Sequence, residues 1–229
     1  MVGNLTSKIK AKFWSKFTNW CHQAVILGYQ NMRNNAIDYQ GWEEEDISAA
    51  LYIEMKKLPA IKLNKISIFP EFRLYNEATA KGINPAKKAD RIDFQFTRWK
   101  SKKETIYFGE AKNLSSRNWS KTKGSKVDAS AYRARYIDTG IDRVVYGKYS
   151  FLTSFLIGYV VNGTATENII KLNLLIKKRN LPPKIGYIKN PIPICSYTEC
   201  YSSVNFQNNT EVILQHIFLE FDQFEIVPT

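Results

Sequence analysis

A mixed central β-sheet flanked by α-helices, an α/β fold, is predicted, and three observations point to it. Helical and extended periodicities alternate along the 229 residues in the order helix, strands, helix, strand, helix, which packs helices onto the faces of a sheet. Two period-two stretches, Ala89 to Trp99 and Thr105 to Lys112, flank a short polar turn at Lys100 to Glu104 and read as a hairpin. Hydrophobic residues make up 44% and charged residues 24% of the chain, ordinary globular usage that leaves a sizeable core and argues against disorder or a fibrous repeat. The length suits one domain, 1–229, with an N-terminal helical extension over about 1–40 and a core over about 43–161.

From Lys8 to about Gln30, the residues Phe13, Trp14, Phe17, Trp20, Cys21, Ala24 and Val25 recur at three- and four-residue steps, as in an amphipathic helix. Lys8, Lys10, Lys12 and Lys16 fall on its solvent side. A polar stretch, Asn31 to Gly41, leads to a second helix over about Glu43 to Leu58, ended by Pro59 and buried along Ile47, Leu51, Met55 and Leu58. Glu44 stands three residues before Ile47 and seven before Leu51, so this carboxylate shares the apolar face. Lys65 to Leu74 reads as a strand before the hairpin. Asp128 to Tyr136 reads as a helix, and Tyr136 to Arg143 as a structural turn beyond it. Phe155 to Val161 is a buried strand closed by Asn162-Gly163. A capped helix from Thr164 to Lys178 follows, with Ile169, Leu172 and Leu175 or Ile176 inward. Pro182-Pro183, Pro191 and Pro193 mark 182–211 as loop-rich, whether linker, peripheral loop or lid. Val212 to Phe221 supplies a late strand.

The charge balance, 33 Lys plus Arg against 21 Asp plus Glu for a net +12, favours a polyanionic partner, because neutralised phosphates release their condensed counterions. Cys21, Cys195 and Cys200 are odd in number and widely spaced, which fits neither a disulfide framework nor a zinc site and suits a reducing cytoplasm. The most apolar run, Phe151 to Val161, is too short to span a bilayer, which takes about 20 apolar residues. The basic stretch Lys8 to Lys16 lacks the apolar core of a secretory signal. Neither export nor a membrane anchor is expected. His22 and His216 lie in helix-like and strand-like stretches and are expected to be structural. Any catalysis then falls to carboxylates and lysines.

The chemistry-bearing segment is Asp90-Arg91-Ile92-Asp93, followed by Tyr107-Phe108-Gly109-Glu110-Ala111-Lys112. Strand period two puts Asp93 with Gln95 on one face and Glu110 with Lys112 on one face. Phosphodiester cleavage needs a nucleophilic water, neutralised charge on the phosphate and help for the leaving oxygen. Mg²⁺ held by carboxylates supplies all three, and Mn²⁺ can substitute for it. Asp93 and Glu110 are hard oxygen ligands, the carbonyl of Ala111 is a possible third, and Lys112 would serve the water or the phosphate. Asp90 competes with Asp93 as ligand, and Glu43 and Glu45 compete with Glu44.

These residues resemble the PD-(D/E)xK, or restriction-endonuclease-like, nuclease superfamily. The likeness covers about residues 43 to 161 and rests on Asp93, on Glu110-Ala111-Lys112 with its apolar lead-in Ile106 to Phe108, and on Glu44 in the upstream helix. No proline precedes Asp90 or Asp93, a departure from the superfamily's name. The resemblance implies a restriction-endonuclease-like sheet and a Mg²⁺-dependent DNA endonuclease, in a restriction or phage-defence setting. It also implies that Glu44 assists the metal site and that the helix after Lys112, with Arg133, faces nucleic acid.

Arg117, Trp119, Lys121, Lys123 and Lys126 form a basic loop beyond Lys112, with an aromatic able to stack on a base. DNA is the expected partner, with a homodimer or a defence-complex protein beside it. The competing expectation is a catalytically inactive or partner-gated nucleic-acid-binding subunit on the same fold.

Overall fold

The computed structural model of the chain describes residues 2–222 apart from 36, 40, 76, 82, 84, 101–102, 122–123, 147–152, 180–184, 190 and 208. Lys123, Phe151 and the Pro182-Pro183 pair therefore lie outside the described residues, as does the side chain of Lys8.

Helix α1 (Val2–Arg33) runs longer than its apolar stripe predicts. Phe17, Cys21, Ala24 and Val25 are buried, while Lys10, Lys12 and Lys16 face solvent. Helix α2 (Glu44–Lys57) has Glu44, Glu45 and Asp46 in its first turn and Lys56 and Lys57 in its last, the arrangement the helix dipole favours. Its predicted stripe of Ile47, Leu51, Met55 and Leu58 is buried throughout. Pro59 ends it and opens a short α3 (Pro59–Leu63), since a first-turn position has no N–H to lose.

Strands β1 (Ile66–Leu74), β2 (Asp90–Lys100) and β3 (Lys103–Ser115) form an antiparallel meander. One helical turn, α4 (Glu77–Ala80), and a 3₁₀ turn (Ala86–Lys88) connect β1 to β2. After β3 a two-stranded ladder, β4 (Trp119–Ser120) with β5 (Lys126–Val127), folds the basic loop back on itself. Helix α5 (Ala129–Arg135) is capped by Asp128, whose carboxylate accepts from the Ser130 N–H. The stretch read as a turn is helical instead: a π-helical segment (Tyr136–Ile141) runs straight into α6 (Asp142–Val145). Tyr136, Ile137, Gly140, Ile141, Val144 and Val145 are buried on one side, a helical spacing that Gly140 obscures in the sequence.

Strand β6 (Ser154–Asn162) and helix α7 (Ala165–Lys178) follow as expected, the helix entered through a capping box of Thr164 and Glu167. The loop-rich segment contains a strand the sequence reading did not place, β7 (Cys200–Gln207), which pairs antiparallel with β8 (Thr210–Glu220). Its Ser and Asn residues point inward and are buried in hydrogen bonds, so apolar alternation gives no signal there.

The six-stranded mixed sheet has the order β1-β2-β3-β6-β8-β7. The β3–β6 and β6–β8 pairs are parallel and the rest antiparallel. Helices α1 to α3 cover one face, where Phe17, Val25, Leu51, Phe94, Phe96, Phe155 and Tyr159 share a core. The segment read as an N-terminal extension is thus built into that core. On the other face Tyr136, Ile141, Leu156, Leu172 and Phe218 pack between the sheet and α5 to α7. Each such buried side chain contributes about 1.5–3 kcal/mol of transfer free energy. Gly158 lies where they meet, and a Cβ there would stand 2.6 Å from Phe218 and 2.9 Å from Leu114. Among the described residues no helix is long and apolar enough to cross a membrane.

Candidate active site

The site forms where the β-meander comes apart. Strands β2 and β3 pair from Lys100 opposite Lys103 as far as Phe94 opposite Gly109. The β1–β2 ladder steps from Pro70↔Phe94 to Phe72↔Ile92, and Glu71 between them has a left-handed φ of 50°, a conformation that strains a residue with a Cβ. Asp93 lies at this kink. Its Oδ2 accepts the Ala111 N–H at 2.7 Å, and Glu44 Oε2 accepts the Asn113 N–H at 3.0 Å. Two N–H groups of β3 are therefore taken by carboxylates, which draws Asp93 and Glu44 onto the strand that carries Glu110 and Lys112.

Lys112 stands at the centre. Its Nζ lies 2.9 Å from Glu110 Oε1, 3.1 Å from Glu44 Oε1 and 3.8 Å from Asp93 Oδ2. It also donates to the Ala111 carbonyl at 2.5 Å. All four residues named for catalysis meet here, with the carbonyl named as the extra ligand. Of the two competing aspartates, Asp93 is the one beside Lys112; Asp90 opens β2 opposite Leu74. Of the three glutamates only Glu44 turns to Lys112. Glu43 pairs with Lys121 at 2.5 Å, and Glu45 pairs with Arg91 at 2.6 Å. Arg91 also reaches Glu71 at 3.1 Å, so it ties α2 to the kinked part of β1.

Burial sets the electrostatics. Glu110 is 3% exposed, and desolvation, with the Asp93 charge adding to it, pushes its carboxyl up to about 7. Desolvation likewise lifts Asp93 to about 6, against the pull of Lys112. Burial disfavours the Lys112 charge, but Glu44, Glu110 and Asp93 together outweigh it and hold the ammonium protonated. Glu110 Oε2 is buried with no hydrogen-bond partner, and so is Asn113 Oδ1, whose amide nitrogen donates to the Trp42 carbonyl. An orphaned buried carboxylate oxygen is costly and calls for an explanation.

Among the described residues no three Asp, Glu, His or Cys side chains are arranged as a ready cage for a metal ion. The Lys112 ammonium occupies the space between the carboxylates. The donor set nonetheless fits a hard cation: Glu44, Asp93 and Glu110 carboxylates, the Ala111 carbonyl, and the unpartnered Oε2.

The basic loop departs from expectation. Trp119 is buried at 9% exposure and packs edge-to-face on Tyr132, 5.0 Å between ring centroids, so it is not available to stack on a base. Its position in β4 turns it inward. Lys121 is held by Glu43, and Arg133 donates to the Ser115 carbonyl at 2.5 Å, fastening α5 to the end of β3. Arg117 and Lys126 are exposed. Arg143 reaches the site from α6, its Nη1 4.0 Å from Glu110 Oε1. The sequence puts it at the end of a turn from which it could reach the site, and the π-helical segment before it breaks the spacing that would have fixed its place.

No protein-family model, no curated protein and no solved structure matches this chain.

Proposed function

We propose that this chain is a Mg²⁺-dependent nuclease of the PD-(D/E)xK, restriction-endonuclease-like kind, hydrolysing phosphodiester bonds of DNA. The observation that carries the reading is the convergence of Glu44, Asp93 and Glu110 on Lys112, with a buried Glu110 oxygen left unsatisfied. Stability alone favours pairing every oxygen of a buried carboxylate.

Glu44, Asp93, Glu110 and the Ala111 carbonyl would hold the ion, with Mn²⁺ able to replace Mg²⁺. When bound, the ion supplies an activated water and neutralises phosphate charge. The chain's own groups do the rest. Lys112, kept protonated by its neighbours, serves as a fixed cation and hydrogen-bond donor to the attacking water or the phosphate, not as a base. Asp93 is held by the Ala111 N–H and Glu44 by the Asn113 N–H, so both carboxylates are oriented before any ligand arrives. Exposed Arg117 and Lys126 offer charge to a DNA backbone. Three free cysteines accord with a reducing cytoplasmic setting, where restriction or phage defence would operate.

The test is nicking or linearisation of supercoiled plasmid with Mg²⁺, with and without EDTA. Wild-type activity that falls by about 10³-fold or more in Lys112→Ala and in Glu110→Ala supports the reading. Equal cutting by wild type and both variants refutes it. DNA binding without cleavage, or cleavage only after a second protein is added, would instead establish the inactive or partner-gated subunit.

A further inference from the structure

We infer that Arg143 is a catalytic residue of this site, its guanidinium gripping a non-bridging oxygen of the scissile phosphodiester opposite Lys112. The inference rests on the nuclease reading and extends it to how the substrate lies: the phosphate sits on the α6 side of the carboxylates.

Arg143 Nη1 is 4.0 Å from Glu110 Oε1, at the limit of an ion pair, with the arginine side chain 36% exposed and the glutamate side chain 4% exposed. An arginine placed only to neutralise a buried carboxylate makes bidentate hydrogen bonds to it. Glu110 Oε2 has no partner although a five-donor guanidinium stands this close. The two groups are thus held apart across a gap with an acid on the inside and a cation on the open side. A phosphate approaching the buried carboxylates from solvent would meet the guanidinium first.

The backbone is shaped to deliver the arginine there. A π-helical segment inserts a residue into the otherwise continuous helix from Ala129 to Val145, turning every later side chain by about 100° relative to an α-helix. The segment packs against the site at Gly140, where even a Cβ would make only ordinary contacts, 4.0 Å from Lys112 Cγ and 3.5 Å from Leu156. Charge agrees as well. Three carboxylates face two cations, so one divalent ion leaves a single positive excess, and a phosphodiester's single negative charge cancels it.

Single-turnover cleavage of an oligonucleotide duplex in Mg²⁺, DNA affinity in Ca²⁺ by fluorescence anisotropy, and Mg²⁺ affinity without DNA by calorimetry test this together. Arg143→Ala should slow cleavage about 100-fold while Mg²⁺ affinity changes by less than about threefold. Arg143→Lys, which keeps the charge but not the fork, should recover part of the rate. Cleavage by Arg143→Ala at the wild-type rate overturns the inference alone. A rate loss matched by an equal loss of Mg²⁺ affinity also overturns it, since Arg143 would then act through Glu110. Wild-type protein that neither binds nor cuts DNA overturns the inference and the nuclease reading together.

Discussion

Two of the polar clusters buried against the sheet are built on opposite principles. Around His216 every group is neutral and paired: Nδ1 bonds the Tyr136 hydroxyl at 2.9 Å, Nε2 bonds the Ser203 hydroxyl at 2.8 Å, and Asn205 closes the network on Ser203 at 2.9 Å. Around Lys112 the groups are charged, three acids share one ammonium, and Glu110 Oε2 has no partner. Both clusters carry hydrogen bonds. Only the second is left incomplete. A closed neutral network specifies a fold, whereas an open charged one holds unfavourable free energy that a ligand can relieve.

The largest effect should come from breaking the charged cluster at its centre. Lys112→Ala leaves three carboxylates facing each other, and losing one side of a buried ion cluster costs about 3–5 kcal/mol. Thermal unfolding in EDTA should show this as a large fall in Tm. If the ammonium occupies a cation's place, millimolar Mg²⁺ should restore much of that stability in Lys112→Ala and raise wild type less, without returning activity. Failure of Mg²⁺ to raise the variant's Tm would remove the cation site from the account.

Breaking the neutral cluster should do the reverse. His216→Leu strands the Tyr136 hydroxyl, leaves the Ser203 hydroxyl only its bond from Asn205, and should cost about 2–4 kcal/mol in urea unfolding. The protein that remains folded should bind Mg²⁺ as wild type does. Loss of Mg²⁺ binding in this variant would show that the clusters are coupled and dissolve the contrast between them.

How much of this was legible in the sequence follows from the same contrast. The acids and the lysine stood out because charged residues interrupt apolar strands, and Glu44 was singled out because a carboxylate shares the face of Ile47 and Leu51. Period two and period 3.6 suffice for those. The orienting bonds were not legible, since they depend on where β2 leaves β3 and on the kink at Glu71, which no residue pattern announces. Strand β7 escaped for the opposite reason: its inward Ser202, Ser203 and Asn205 are polar and satisfied, so a buried strand reads as a loop. Arg143 was blurred by the π-helical segment, and Trp119 was misread because β4 turns it toward Tyr132.

The clusters should also respond oppositely to acid. Desolvation holds His216 down to about 3, from 6.5, and does the same to His22, which lies outside both clusters beside Tyr107. Their neutral burial stabilises the fold fully above pH 6.5, and that stability is lost as pH falls toward 3, about 2 kcal/mol per histidine by pH 5. Glu110 is raised from 4.5 to about 7, so the folded state keeps a proton that the unfolded state gives up. Its contribution is present below pH 4.5 and is lost as pH rises through 7. Glu110→Gln should therefore stabilise the metal-free protein by about 1–3 kcal/mol at pH 8, with the gain vanishing near pH 4.5. Denaturant melts of both proteins across pH 4.5–8 check the sign. A Gln variant less stable than wild type at pH 8 would mean the Lys112 pair outweighs the burial cost.

The smallest effects belong to the surface, where neither principle operates. Arg117 and Lys126 are exposed, so replacing either with alanine removes no buried partner and should shift stability by less than about 0.5 kcal/mol. Each should weaken DNA binding only about two- to threefold at 0.15 M salt and lower the slope of log affinity against log salt by about one. Arg133 separates the two kinds of cation on this loop. Its bond to the Ser115 carbonyl ties α5 to β3, so Arg133→Ala should cost about 1 kcal/mol of stability and leave the salt slope unchanged. A reduced slope in Arg133→Ala would put that residue back on the DNA-facing surface and make the bond to Ser115 a resting position.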